Sequence, residues 1–401
     1  MKVRTMPRNV TTIRGIVLAS FAVVLVAACT PPMPPDVLAA RAEAQVVCGA
    51  GEVKVSVPSG FAGSMDSVGV ALGSVCPDET VLELPEAEPA PLALVDKTPA
   101  QADIDQFKIS NCPSDPVVVV PAFGYPVTMA YNVVGLEGLV MTPEIVAGIL
   151  SGEITSWEDP LLLAENPDFD LTLLPEITLM SVDSPQGDVE AMTTWVGQQD
   201  AKAWPQGMAG TLAAGQKFAT QSDLLAEMMA VEGSIAVLPI SVAFNNILAT
   251  ANLPVNGTDA NGQEVDTVVT TDDVQLYKIG SGATTVTKDA TGNLFASPAT
   301  GGFPVEGNFD IASSKIMMVD GAPLVGWPVV GYAHLLICDN PAEPLPLLFA
   351  QYLVRLAGQG SLESYGLTPM PEPIRIQTFA PLKVVVNVDG EAAPSASPVA
   401  S

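Results

Sequence analysis

"PVTMAYNVVGLEGLVMTPEIVAGILSGEITSWEDPLLLAENPDFDL", Pro126 to Leu171, is the stretch on which the reading of the fold turns. Its first residues close a β-branched run that starts at Pro116, "PVVVVPAFGYPVTMAYNV". A near-continuous apolar run of this kind suits a strand buried on both faces or crossing between domains. "TPEIVAGILSG" then reads as a short helix. Thr142 is placed to cap it, Pro143 fits the first turn, Glu144 meets the positive end of the dipole, and Gly152 ends it.

Outward from this stretch, strands and helices alternate. "LPEITLMSV" (174–182) is a strand, and "DLLAEMMAVEGSIAVLP" (223–239) reads as helix, glycine turn and strand. "GWPVVGYAHLLIC" (326–338) is another buried strand, and "PLLFAQYLVRLAGQGSLESYG" (346–366) is helical. Towards the N-terminus, 46–58 and 67–84 read as strands around the polar turn "PSGFAGS". Between about 254 and 310 the chain is rich in Thr, Gly and Asp, as hairpins are. Alternation of this kind implies the α/β class.

The 401 residues include 44 acidic and 16 basic side chains, a formal net charge of −28. Nucleic acid is excluded as a partner, because phosphate backbones need clustered Lys and Arg. At 48% hydrophobic, the chain can bury a large core, and its length suggests two domains or one two-lobed unit. Lys2, Arg4, Arg8 and Arg14 precede the apolar run "GIVLASFAVVLVAA" (15–28), the pattern of an export signal. The run ends in "VAAC", which resembles a bacterial lipobox. The expectation is a signal peptide over 1–28, lipidation of Cys29, and a tether over 29–45 in which "TPPMPP" follows Cys29. The end of the chain, 389–401, reads as a disordered tail. Four cysteines remain, Cys48, Cys76, Cys112 and Cys338. In an exported chain an even number points to two disulfides. Three pairings are open; Cys48–Cys76 with Cys112–Cys338 is the one expected. Neither a metal site nor a cofactor is expected, since there is no Cys-x-x-Cys and only one His. That residue, His334, reads as a core or hinge histidine. Without a Gly-x-Ser-x-Gly elbow or any nucleophile paired to a base, no catalytic residue is expected and the chain does not read as an enzyme.

Several of these pieces, in this order, resemble the phosphate-binding protein of the phosphate ABC transporter. Tyr131, Asn132, Gly152, Ile154, Trp157, Asp159, Pro160, Asn166 and Pro167 match the family's "AYN" strand, helix, G-x-I-x-x-W-x-D-P and following Asn-Pro. "ITLMSVDSPQGD", "GSIAVLPISVAFNN", "WPVVGYAHLLI" and "GQGSLESYGLTPMPEPIR" continue the likeness, which covers roughly 90 to 386. It implies a two-lobed, periplasmic-binding-protein-like (Venus-flytrap) fold with two crossovers. Lobe 1 would comprise 46–125 and 325–388, and lobe 2 would comprise 126–324. It also implies an extracytoplasmic, lipid-anchored protein at the bacterial cell membrane. There it would capture phosphate or a related small oxyanion between its lobes and deliver it to an ABC permease.

Carried over residue by residue, the family's anion loops are only partly kept. In "PSGF", Ser59, Gly60 and Phe61 correspond to the first-lobe loop, with Gly60 where the family has Thr. Asp96, in "LALVDKTP", is retained, and as an acceptor it would favour hydrogen phosphate over sulfate. In "SVDSPQGD", Ser181 stands where the family has Arg, Asp183 is kept, and Ser184, Pro185, Gln186 and Gly187 form the anion loop. A serine cannot give the two-pronged hydrogen bond of an arginine, and Pro185 has no N–H. Asp188 is expected as the N-cap of the following helix, where its carboxylate would compete with an anion. The family's Gly-Ser-Gly loop is absent, and "ELPEAEPAP" occupies its place. The alternative reading is therefore a cell-envelope interaction module on the same scaffold that has lost phosphate binding.

Overall fold

A computed structural model describes residues 35–86, 88–258, 264–271, 284–298, 309–310, 315–319, 322–324 and 327–384. The expected signal peptide, the lipidation site Cys29 and the tail 389–401 lie outside the described residues. Within the expected tether, Pro35–Ala44 forms a helix, α1. Its C-terminal end is held to the body: the buried Arg355 donates through Nε to Ala42 O at 3.0 Å and through Nη2 to Gln45 O at 2.9 Å. Glu43 pairs with Arg375, which is 2% exposed.

The strands β1 (Gly51–Val57) and β2 (Glu79–Pro85) are parallel neighbours. Two parallel strands need a crossover between them. That crossover is α2, Ser64–Val75, which takes over much of the segment read from sequence as a strand at 67–84. Met65, Val68 and Leu72 recur at helical spacing and are buried; the interleaved Gly69 and Gly73 conceal this period in the sequence. β3 (Leu92–Val95) pairs with β1, and α3 (Gln101–Asn111) leads into β4 (Val117–Asn132).

β4 joins the two halves of the molecule. From Val117 to Pro126 it lies antiparallel to the return strand Val330–Cys338, which also pairs with β3. From Val127 to Asn132 it pairs instead with the second-half strand Ser234–Pro239. The change of partner falls at Pro126/Val127, where Val127 N–H donates to Val329 O at 3.0 Å and Trp327 Nε1 donates to Val127 O at 2.7 Å. Outgoing and returning chains thus cross side by side. In the second half, α4 (Pro143–Ser151) and α5 (Pro160–Glu165) are followed by β5 (Thr178–Val182) and α6 (Gly187–Gln199). Next come β6 (Gln216–Phe218), α7 (Gln221–Ala230) and β7, the Ser234–Pro239 strand. β5 lies parallel to both β6 and β7.

The motif that carried the family likeness has structural work. Thr142 Oγ1 accepts from Ile145 N–H at 3.3 Å, and Gly152 closes α4 with φ 79°, as expected. Asp159 accepts from Leu161 N–H at 2.9 Å. The buried Asn166 side chain accepts from Val140 N–H at 2.7 Å and donates to Val140 O and Leu162 O, each at 3.0 Å. Tyr131 packs on Trp157 with ring centroids 5.5 Å apart, and its hydroxyl accepts from Leu139 N–H at 3.1 Å. Together these residues fasten the turn at 133–140 to α5.

The disulfides are Cys48–Cys76 and Cys112–Cys338, the expected pairing. The second joins the end of α3 to the end of the return strand, 226 residues apart. Replacing both cysteines of that bridge by serine is expected to lower stability by ~2–4 kcal/mol, read from urea midpoints. A free thiol at any of the four positions in the denatured oxidised protein would contradict the pairing.

Candidate functional site

A cleft of about 520 Å³ opens where the two halves face each other. The first half supplies Ser59, Gly60, Phe61, Asp96, Lys97 and Tyr125; the second supplies Val182, Ser184, Pro185, Gln186, Asp188 and Gln221. Phe61 lies in the first of these walls because its ring packs on Phe123 and Tyr125, at 5.3 and 5.0 Å between centroids. Ser59 Oγ donates across the cleft to Gln221 Oε1 at 3.1 Å. Gln186 Nε2 donates to Ser184 Oγ at 3.0 Å, fixing the loop before α6. The Nζ of Lys97 lies 3.3 Å from Asp103, and both residues line the same space. Among the described residues Lys97 is the one basic residue of the lining, against Glu86, Glu88, Asp96, Asp103 and Asp188.

Of the residues named from the sequence, Ser59, Gly60, Phe61, Asp96, Ser184 and Gln186 come together at the cleft. Ser181 and Asp183 do not line it. Val182 does, and neighbouring residues on a strand point to opposite faces. Ser181 is accordingly buried on the other face, where its Oγ meets Lys217 Nζ at 2.8 Å. Asp183 is exposed to solvent. Gly187 forms the seam rather than the lining: a Cβ added there would lie 1.9 Å from Asp96 O and 2.4 Å from Tyr125 Oη. The N-cap of α6 is Gln186, not Asp188. Asp188 is the second residue of the helix, within its first turn; it is buried and accepts from Val189 N–H at 2.7 Å.

The electrostatics are those of crowded acids. Burial raises Asp96 to about 6, with Glu86 adding to the rise, while Lys97 and the Gly187 N–H act against it. Burial next to Asp96 raises Asp188 to about 8. Glu190 rises to about 7 for the same two reasons. Tyr125 donates its hydroxyl to Asp96 O, and burial beside these acids pushes it well up. At the start of α6 the chain's own groups crowd the place of an anion: Val189 N–H is met by Asp188, and Gly187 packs directly on Asp96. Sequence reasoning missed Tyr125, Glu190, Gln221 and Lys97. For Lys97 the signal was available, since it directly follows Asp96.

No protein-family model matches the chain, and no curated protein does. Solved structures do. A high-affinity periplasmic phosphate-binding protein, PfluDING, solved with phosphate bound, superposes with a TM-score of 0.50 at 11% identity, over 82% of this chain and 93% of that one. The fold is that of a two-lobed periplasmic binding protein. A phosphate-binding protein from Stenotrophomonas maltophilia is similar at 12% identity and TM-score 0.47, over 82% and 93% of the two chains. An ABC-type phosphate transport receptor from Vibrio cholerae is similar at 10% and 0.40, over 80% and 100%. In this two-lobed binding fold, β4 and the return strand are the crossovers, and the acidic cleft occupies the inter-lobe position.

Proposed function

We propose that this protein is a lipid-anchored, extracytoplasmic solute-binding protein that captures phosphate or a related oxyanion for an ABC permease. The observation that carries the reading is the cleft itself. A loop of one lobe, Ser59–Phe61, faces a loop and helix N-terminus of the other, Ser184–Gly187, across a space large enough for a small solute. Asp96 is among the residues that line it and would act as an acceptor for a ligand proton. The fold shared with PfluDING supports the same reading.

Affinity for phosphate is expected to be weak. A hydrogen bond to a charged group contributes ~1.5–3 kcal/mol. Absence of a two-pronged arginine therefore removes roughly two to four powers of ten. Calorimetric titration of the purified protein at pH 6 is expected to give a micromolar-to-millimolar Kd for phosphate and arsenate, and less for sulfate. Nanomolar phosphate binding would show that other donors replace the arginine. Absence of heat with every oxyanion would favour a second reading, a cell-envelope interaction module. That reading has one specific support: Gly187, at the helix start an anion would approach, is already packed directly on Asp96.

A further inference from the structure

We infer that closure of the two lobes is gated by protons held among Asp96, Asp188 and Glu190. The inference rests on the solute-binding reading only for its consequence, namely which charge form of a solute the closed cleft accepts. Its geometry stands alone. Asp96, from the first lobe, packs on Gly187 at the first turn of α6 in the second lobe, where an added Cβ would lie 1.9 Å from Asp96 O. Asp188 and Glu190 follow on the same helix, and Asp188 is 5% exposed. Tyr125 seals the contact by donating to Asp96 O.

The groups facing this cluster do not neutralise it. From the first lobe come Glu86, Lys97 and Asp103, and the lysine ammonium lies against Asp103 at 3.3 Å. His334 of the return strand is buried and neutral: Nε2 accepts from Ala296 N–H at 2.9 Å, Nδ1 donates to Lys97 O at 2.9 Å, and burial lowers it to about 4. From the second lobe, Lys217 is turned to Ser181 and Leu212 O, on the opposite face of β5. With Asp188 buried and Asp96 and Glu190 half-buried around the same seam, mutual repulsion and lost hydration favour protons on the cluster. Separation of the lobes returns Asp96 to water and parts it from Asp188.

The closed form holds more protons than the open form between the ordinary carboxylate range near 4 and the raised values of about 6 to 8. Raising pH through that window removes them and favours opening. A solute that brings its own protons, such as a singly charged oxyanion, fits the closed cleft; a dianion adds charge to it.

Small-angle scattering of the full chain without added solute tests this. A compact form is expected at pH 5.5 and a larger radius of gyration at pH 8.5, with a midpoint between about 6 and 8. Asp188→Asn should stay compact at pH 8.5, and Glu190→Gln should move the midpoint upward even if the first variant folds poorly. Asp183→Asn, exposed in the same loop, should leave the profile unchanged. Equal dimensions at both pH values in the parent protein, or an unchanged profile in both cluster variants, overturns the gate. If the parent opens with pH yet no oxyanion gives heat at any pH, the gate stands and the transport reading falls.

Discussion

Alanine in place of Gly187 is expected to hold the two lobes apart at every pH. The added Cβ would sit 1.9 Å from Asp96 O and 2.4 Å from Tyr125 Oη, far inside contact distance. Neither atom has room to retreat. Asp96 O accepts the tyrosine hydroxyl, and the ring of Tyr125 is backed by Gly331, where a Cβ would itself approach within 2.2 Å. Gly187 needs no positive φ, so the substitution puts no strain on α6 itself. The core of each lobe is untouched and should unfold at its usual denaturant concentration. What is lost is the seam, and with it any solute contact that needs both walls. Affinity for an oxyanion should fall by at least about 100-fold, equivalent to ~2.7 kcal/mol. Parent-like binding together with parent-like compactness in the variant would place the seam elsewhere.

Glu43→Ala is expected to destabilise the first lobe by ~3 kcal/mol. Arg375 is 2% exposed, with one guanidinium nitrogen on Glu43 and Val354 O, and Nη2 has no hydrogen-bond partner among the described residues. Removal of the carboxylate leaves a buried cation without its counter-charge, a change that costs ~3–5 kcal/mol in general. The pair's partial solvent access puts this case at the low end. The same carboxylate accepts from Leu356 N–H at 2.9 Å, so α1 loses two attachments at once. Urea unfolding reads the effect, and an unchanged midpoint would mean that α1 is not fastened through Glu43. The consequence reaches beyond stability. The segment next to the expected lipid anchor is fixed to the helices at 345–362 and 372–377, so it does not act as a free tether along its whole length.

The framework was legible where local chemistry and long-range packing agree. Thr142, Pro143 and Gly152 delimit α4 by rules that act within a single turn, and the apolar run from Pro116 suits a buried or crossing strand. The crossover helix α2 was not legible, because two glycines dilute its period and because its necessity comes from the parallel pairing of β1 with β2, which no local pattern reveals. At the site, the position of Ser181 was misread for a reason of strand parity: with Val182 at the cleft, Ser181 must face away, towards Lys217. The family likeness supplied its position in the loop but not its side. The acidic character of the cleft was hidden for another reason. Asp96, Tyr125 and Glu190 come from three separate segments, and burial, which makes carboxyls hold their protons, is set by the docking of lobes. Conversely, Trp157, Asp159 and Asn166, the most recognisable residues of the chain, hold the second lobe together and stand away from the cleft.

The central claim, that the acidic inter-lobe cleft is a solute site, is tested most directly by an anomalous difference map from crystals grown with arsenate at pH 5.5. One peak is expected between Asp96 and the loop Ser184–Gln186, within hydrogen-bond reach of the backbone at Gly60 and Phe61. A map with no peak in the cleft, and with Asp96 still packed on Gly187 at saturating arsenate, would contradict it.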